Sequence, residues 1–295
     1  MATAPERLLR QLEWRVLRRL DGRIQGDHRT VMQGHGMDVA DVRPYGAGDD
    51  ARHIDWNVTA RLNEPHVRRF TEEREVTVWL VLDCSASMRF GVPDRGKDDV
   101  LAELGMTITR MFTKGGNRVG AILYDDRSVQ VIPPRSGRNQ ALMLARALGG
   151  ASPAGAPGTS TDITAMLRLA ASTIRRRSLV VVISDLIGDP GWDRELTRLG
   201  HRNEVVVLRV TDPVETELPA IGTVIVEDAE TGAQLLVDVS DPLFRDRFGR
   251  EVETQALDVR SRVARSGAVE HVVSTDHDLV DSLVSIVRST QWRSA

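Results

Sequence analysis

From residue 76 onward, near-continuous apolar runs alternate with stretches whose apolar residues recur at helical spacing. The apolar runs, rich in β-branched residues, cover residues 76–82, 119–124, 179–184, 205–210 and 269–274. The helical patterns cover residues 100–112, 163–174, 244–263 and 279–287. Strands without polar alternation are typical of a sheet that is covered on both faces. The order of elements therefore predicts an α/β fold, with a mostly parallel sheet and helices on both faces.

Two regions depart from this alternation. Residues 222–239 hold two short apolar runs around the turn Glu230-Thr231-Gly232, which predicts an inserted β-hairpin. Residues before 76 are rich in turn formers, and residues 67–75 predict a strand. We therefore expect residues 1–75 to form an N-terminal helix and a small β-rich segment, and residues 76–295 to form the main domain with its hairpin insertion.

The N-terminal helix is predicted from Leu9, Leu12, Val16 and Leu20, which recur at helical spacing with arginines on the other face. We expect this helix to dock on its own domain, and a helix lying on a membrane surface is the alternative. Arg and Glu interrupt the apolar residues, unlike in a signal peptide. No run in the sequence approaches the ~20 apolar residues of a membrane span.

Composition is that of a soluble globular protein, with 41% hydrophobic and 27% charged residues among 295. The net charge of -3 gives no overall cationic field, so general nucleic-acid binding is not expected. The single cysteine, Cys84, cannot form an intrachain disulfide. That fits a reducing compartment, and the expected location is the cytoplasm.

Polar side chains gather where the predicted strands end. Asp83, Ser85 and Ser87 follow the first strand, and Asp185 follows the strand at 179–184. Thr161 ends a Gly- and Pro-rich loop just before a helix. Loops at the carboxyl ends of parallel strands meet at one edge of the sheet, where ligands bind. These oxygen donors suit Mg²⁺, with Mn²⁺ or Ca²⁺ as alternatives, and the set offers no thiolate or imidazole for zinc.

The stretch "DCSAS", residues 83–87, resembles the D-x-S-x-S motif of von Willebrand factor A domains. In that family a metal-ion-dependent adhesion site is completed by a Thr from a second loop and an Asp from a third. By this resemblance Ser85, Ser87 and Thr161 would bind the metal directly, and Asp83 and Asp185 would act mostly through water. Leu186 follows Asp185 where many relatives have Gly.

A narrower resemblance covers nearly the whole chain. The stretch "DVRPYGAGDDARHIDWNVTARLNEPHVRRFTEERE", residues 41–75, is followed at once by "DCSASM", and "TDPVETELP" precedes the predicted hairpin. This combination is similar to the bacterial family catalogued as domain of unknown function fifty-eight. The resemblance implies a partnership with a MoxR-type AAA+ ATPase in chaperone-like maturation or complex assembly. Many members carry transmembrane helices near the N-terminus, and this sequence does not.

The resulting hypothesis is a non-enzymatic module that binds a protein partner through its metal, with an Asp or Glu of the partner as the last ligand. The alternative is a Mg²⁺-dependent phosphohydrolase with Asp83 as nucleophile. Such haloacid-dehalogenase-like enzymes need a second Asp two residues later, where this chain has Ser85. A third hypothesis is a structural interaction module whose site stays empty.

Other candidate groups favour structural roles. Cys84 has no identifiable base partner, the histidines lack zinc spacing, and no phosphate-binding glycine loop follows the first strand. Turn or packing roles are favoured for the acids of Gly48-Asp49-Asp50 and Ile54-Asp55-Trp56. The sequence does not reveal the function of these two stretches or of Arg43-Pro44-Tyr45.

Overall fold

A computed structural model describes residues 39–46, 49–70, 76–89, 91–92, 95–125, 128–150, 162–188, 190–227 and 233–289. The predicted N-terminal helix, Thr161 and the turn at 230–232 lie outside these residues. The strands are β1 (Val39–Pro44), β2 (His66–Phe70), β3 (Thr77–Asp83), β4 (Gly91–Val92), β5 (Arg95–Gly96), β6 (Arg118–Asp125), β7 (Ser128–Arg135), β8 (Leu179–Ser184), β9 (Glu204–Thr211), β10 (Thr223–Glu227), β11 (Gln234–Asp238) and β12 (Val269–Ser274). The helices are α1 (Trp56–Leu62), α2 (Lys97–Lys114), α3 (Arg138–Gly150), α4 (Ile163–Thr173), α5 (Trp192–Gly200), α6 (Pro213–Thr216), α7 (Pro242–Arg265) and α8 (Leu279–Ser289).

The main sheet has six strands in the order β12-β9-β8-β3-β6-β7. All neighbours are parallel except β6 and β7, which form an antiparallel edge. The mostly parallel α/β sheet predicted from the sequence is therefore confirmed, and β3, which carries the D-x-S-x-S motif, lies inside it. Strand β7 was not predicted.

Helices cover both faces of the sheet because side chains alternate along each strand. Leu80 and Leu82 of β3 join a core cluster with apolar residues of α2, α3 and α8. Trp79 and Val81 join a second cluster with residues of α4, α5 and α7. Most of β3, β8 and β9 is buried on both faces, as the continuous apolar runs predict.

Smaller sheets lie outside the main one. Strands β1 and β2 pair antiparallel within the N-terminal region, where a small β-rich segment is predicted, and β2 begins at His66. Strands β10 and β11 pair antiparallel, so the inserted hairpin predicted at 222–239 is present. Because β10 follows β9 and α6, the hairpin insertion leaves the main sheet from its carboxyl edge.

Candidate metal centre

The candidate site lies where β3 and β8 end side by side. The two strands are parallel neighbours, and Leu82 is in register with Ile183. Asp83 ends β3 and Ser184 ends β8, with Asp185 directly after it. The structure thus brings the first and third predicted loops to one edge of the sheet. Thr161, from the second predicted loop, lies outside the described residues.

Asp83 is completely buried and is held by hydrogen bonds from two directions. The Ser184 hydroxyl donates to its Oδ2 at 2.6 Å, and the Ser85 backbone N–H donates to its Oδ1 at 3.1 Å. Burial, followed by the nearby charge of Asp185, raises the pKa of Asp83 to about 6 despite these bonds. The positive charge around the buried Asp83 carboxylate is therefore too small to compensate its ionised form.

The motif serines place their hydroxyls together. The Ser85 and Ser87 Oγ atoms lie 3.1 Å apart, and both residues are buried. Ser87 begins a short 3₁₀ helix, Ser87–Arg89, directly after the strand and turn. Cys84, between Asp83 and Ser85, instead packs against the first core cluster. Residues at alternate positions of this turn therefore place two neutral oxygen donors side by side.

Asp185 is 4% exposed and is fixed by its own loop. Its Oδ1 accepts the Ile187 backbone N–H at 3.0 Å, and the Leu186 N–H donates to the Ser184 hydroxyl at 3.0 Å. Leu186 has φ 57°, a left-handed conformation that favours glycine. Leu186 is 3% exposed in the second core cluster, and that burial offsets the backbone strain.

Lys97 is a site residue that the sequence did not reveal. This first residue of α2 has a fully buried side chain, and its Nζ donates to Asp185 Oδ2 at 2.8 Å. The same Nζ donates to Glu215 Oε1 at 2.5 Å. Burial lowers the pKa of Lys97, but the charges of Asp185 and Glu215 outweigh it and raise the pKa overall. The only available signal was that Lys97 is one of two lysines in an arginine-rich chain.

The donor set fits a hard divalent cation. Asp83, Ser85, Ser87 and Asp185 offer oxygen atoms alone, which Mg²⁺ and Mn²⁺ prefer. Within the residues that the structure describes, no three His, Cys, Asp or Glu side chains form a metal-binding group. The candidate site therefore depends on the serine hydroxyls for its ligand count. The raised pKa of Asp83 marks where added positive charge would be stabilised.

The acids near the N-terminus serve local structure. Asp49 receives two bonds from the Arg43 guanidinium, at 2.8 and 2.7 Å, and one from the Gly46 N–H at 2.8 Å. Asp50 caps the 3₁₀ helix Ala51–His53, and Asp55 caps α1 by accepting from two backbone N–H groups. These contacts match the turn roles favoured by the sequence, and the two helix caps were not predicted. Trp56, the first residue of α1, is 71% exposed.

Comparison with known sequences decides the family. The profile of the family described as "Protein of unknown function DUF58" matches residues 41–258. The chain belongs to this family. A relative from Mycobacterium tuberculosis, "Uncharacterized protein Rv1480", is 36% identical over 281 residues, which is 95% of this chain and 88% of the relative. The family expected from the motifs is therefore confirmed.

Solved structures to which this chain is similar include a membrane protein and a von Willebrand factor A domain. An aerotolerance-related membrane protein from Bacteroides fragilis is 18% identical, with a TM-score of 0.48, over 72% of this chain and 97% of that one. The SpRpn10 VWA domain is 13% identical, with a TM-score of 0.39, over 75% of this chain and 99% of that one. Among the helices that the structure describes here, none is both long and apolar enough to cross a membrane.

Proposed function

We propose that this protein is a non-enzymatic binding module in which Asp83, Ser85, Ser87, Thr161 and Asp185 hold Mg²⁺ or a similar cation for a protein partner. The observation that carries the proposal is the meeting of buried Asp83, the paired serine hydroxyls and Asp185 at one sheet edge. When bound, the cation would supply a positive centre with a coordination position open to an outside carboxylate.

The charges around the site support binding of a divalent cation. Asp83, Asp185 and Glu215 provide three carboxyl groups, and the Lys97 ammonium is the cation placed among them. When all three acids are ionised, these four groups carry two excess negative charges. Serine hydroxyls are neutral and do not reduce the charge of the cation. A divalent cation would bring the charge of these groups to zero, and its ligation by neutral hydroxyls would leave it able to take an acidic side chain of a partner as a charge-assisted ligand.

The contacts of Asp83 favour binding over phosphoryl transfer. Each carboxylate oxygen of Asp83 already accepts a hydrogen bond, from the Ser85 N–H and from the Ser184 hydroxyl, which suits an acid that holds a cation through water better than one that attacks phosphorus. Ser85, at the position of the proton-shuttling Asp in haloacid-dehalogenase-like enzymes, has its hydroxyl 3.1 Å from Ser87 instead. Within the described part of the chain, Asp83 and Ser85 are therefore placed to orient ligands, and position 85 lacks the carboxyl group that would shuttle the proton.

The partner is proposed from the family resemblance. We infer that a MoxR-type AAA+ ATPase or its client, in the cytoplasm, supplies the Asp or Glu ligand during maturation or assembly of a complex. The matching family profile over residues 41–258 supports the family resemblance from which this partner is inferred, since the motif stretch that carries the resemblance lies within that range.

Two serine-to-alanine variants, one at the candidate site and one away from it, test the proposal. Ser85→Ala is expected to lower Mn²⁺ affinity at least tenfold in titration calorimetry, since it removes a direct ligand, and to abolish Mg²⁺-dependent binding of the purified ATPase. Ser178→Ala is the matched control, because Ser178 is also buried but precedes β8 at the opposite edge of the sheet. Equal Mn²⁺ binding by wild type and Ser85→Ala would overturn the proposed site.

A further inference from the structure

Lys97 buries a positive charge beside the candidate metal site. Its side chain is fully buried, as is the Asp185 carboxylate that it contacts at 2.8 Å. Taking an ammonium out of water is costly, and it persists only when anionic partners compensate it. The proposed ligand Asp185 is thus shared between the site and a cation that belongs to the chain itself.

Glu215 is held in place as the second anion beside Lys97. It lies on α6, where its Oε2 accepts the Asp212 backbone N–H at 3.2 Å in a capping box. Its Oε1 accepts from Lys97, and its side chain is 23% exposed. The capping box aims the Glu215 carboxylate at the ammonium, so the position of Lys97 is fixed from two elements.

A fixed ammonium at this position acts on the site in two opposite ways. It orients Asp185 Oδ2 by hydrogen bonding, and it also places a positive charge near any cation that Asp185 serves. Charges repel strongly at a buried site because the effective dielectric is far below that of water. Glu215 offsets part of the ammonium's field without belonging to the ligand set.

We propose that Lys97 is a built-in counter-cation that weakens and thereby sets the affinity of the site for divalent metal, and that Glu215 moderates this repulsion. This inference rests on the proposed function, since it concerns the affinity of the same site. It assigns Lys97 and Glu215 as positioning and tuning residues that do not touch the metal.

Substitutions at the two residues are expected to change metal affinity in opposite directions. Lys97→Met removes the repelling charge, so the Kd for Mn²⁺ should fall by about tenfold or more. Glu215→Gln leaves the ammonium less compensated, so the Kd should rise by roughly threefold or more. Glu217→Gln is the matched control, because Glu217 is an exposed acid just after α6, and its Kd should equal that of wild type.

Titration calorimetry with Mn²⁺ alone, with folding checked by circular dichroism, distinguishes the outcomes. Damage to the fold would weaken binding in both variants, so tighter binding by Lys97→Met is the decisive sign. Weaker or unchanged binding by folded Lys97→Met overturns the inference. If Lys97→Met does not fold, Glu215→Gln decides, and unchanged or tighter binding there overturns it.

The same titration separates this inference from the proposed function. In one outcome, wild type binds Mn²⁺ and Ser85→Ala loses that binding, while Lys97→Met and Glu215→Gln do not shift the Kd in opposite directions. That result overturns only the tuning role. Binding that appears in Lys97→Met but not in wild type supports the tuning role. If Mn²⁺ binds to none of the three proteins, wild type, Lys97→Met and Glu215→Gln, both proposals are overturned.

Discussion

The Ser184 hydroxyl donates a 2.6 Å hydrogen bond to Asp83 Oδ2 across the boundary between β8 and β3. The bond joins the ends of two parallel strands that are 101 residues apart in sequence. The same hydroxyl accepts the Leu186 N–H, so Ser184 ties Asp83 to the loop that carries Asp185. The relative position of the two acids is therefore fixed by the sheet, before any cation binds.

Metal-free protein should lose stability as Asp83 ionises. Burial and the charge of Asp185 raise the pKa of Asp83 from 3.8 to about 6, so the folded state holds its proton more tightly than the unfolded state. The contribution of Asp83 to the free energy of unfolding therefore falls as pH rises from about 4 to 6 and is constant above. The loss is on the order of 3 kcal/mol.

Asp83→Asn isolates this effect. Other acids, such as Asp49 and Asp276, have lowered pKa values and lose their stabilising contribution as pH falls, but they do so equally in both proteins. Urea unfolding in EDTA should show Asp83→Asn gaining stability over wild type between pH 4 and 7. A constant difference across that range would contradict the shifted pKa.

Metal affinity should depend on pH through the same group. Protons and metal compete for Asp83, whose pKa is about 6 in the metal-free protein. Mn²⁺ affinity is expected to fall by about tenfold for each pH unit below 6 and to change little above it. Titration calorimetry at pH 5, 6, 7 and 8 measures this, and equal affinity at pH 5 and 7 would exclude Asp83 as the titrating ligand.

The main sheet was predictable because its buried strands are continuous apolar runs. The bounds of β8 and β12 agree with the predicted runs, and β3 is shifted by one residue. Strand β7 was missed because its residues are mostly exposed and include two prolines, which weaken a strand signal and are tolerated at a sheet edge. Helix α1 was missed because it buries no residues, so it lacks an apolar stripe.

The site was predictable only where a local motif exists. Asp83, Ser85 and Ser87 are adjacent in sequence, and Asp185 follows a recognisable strand. Ser184 lies at the site because β8 is in register with β3. Lys97 and Glu215 lie there because α2 contacts α6, and these two residues are 118 positions apart in sequence. Such long-range contacts leave no periodic signal in one sequence. The role of Thr161 stays a prediction.

Cys84 should be unreactive in the folded protein. Burial, followed by the charges of Asp83 and Asp125, raises the pKa of its thiol to about 12. At pH 8 only about one thiol in ten thousand is then ionised, and the thiolate is the reactive form. Ellman's reagent should modify the native protein far more slowly than protein unfolded in guanidinium. Rapid, stoichiometric modification of native protein would show that the turn opens.

At Leu186, in the loop after Asp185, glycine should lower the free energy of unfolding less than alanine does, which is the reverse of the usual order. Leu186 combines φ 57° with a side chain that is 3% exposed. Leu186→Ala loses the buried side chain but keeps the strain, so it should destabilise by about 2–5 kcal/mol. Leu186→Gly loses the same packing but relieves strain of about 1 kcal/mol, so it should be the milder change.

Leu196 provides the matched comparison for this loop, because it is 0% exposed in the same core cluster but lies within helix α5. There glycine should be about 1 kcal/mol worse than alanine, since it weakens a helix interior. Urea unfolding of the four variants in EDTA measures both rankings. The same order at the two positions would mean that Leu186 does not hold the left-handed conformation, and the orientation of Asp185 toward Lys97 would then lose its backbone support.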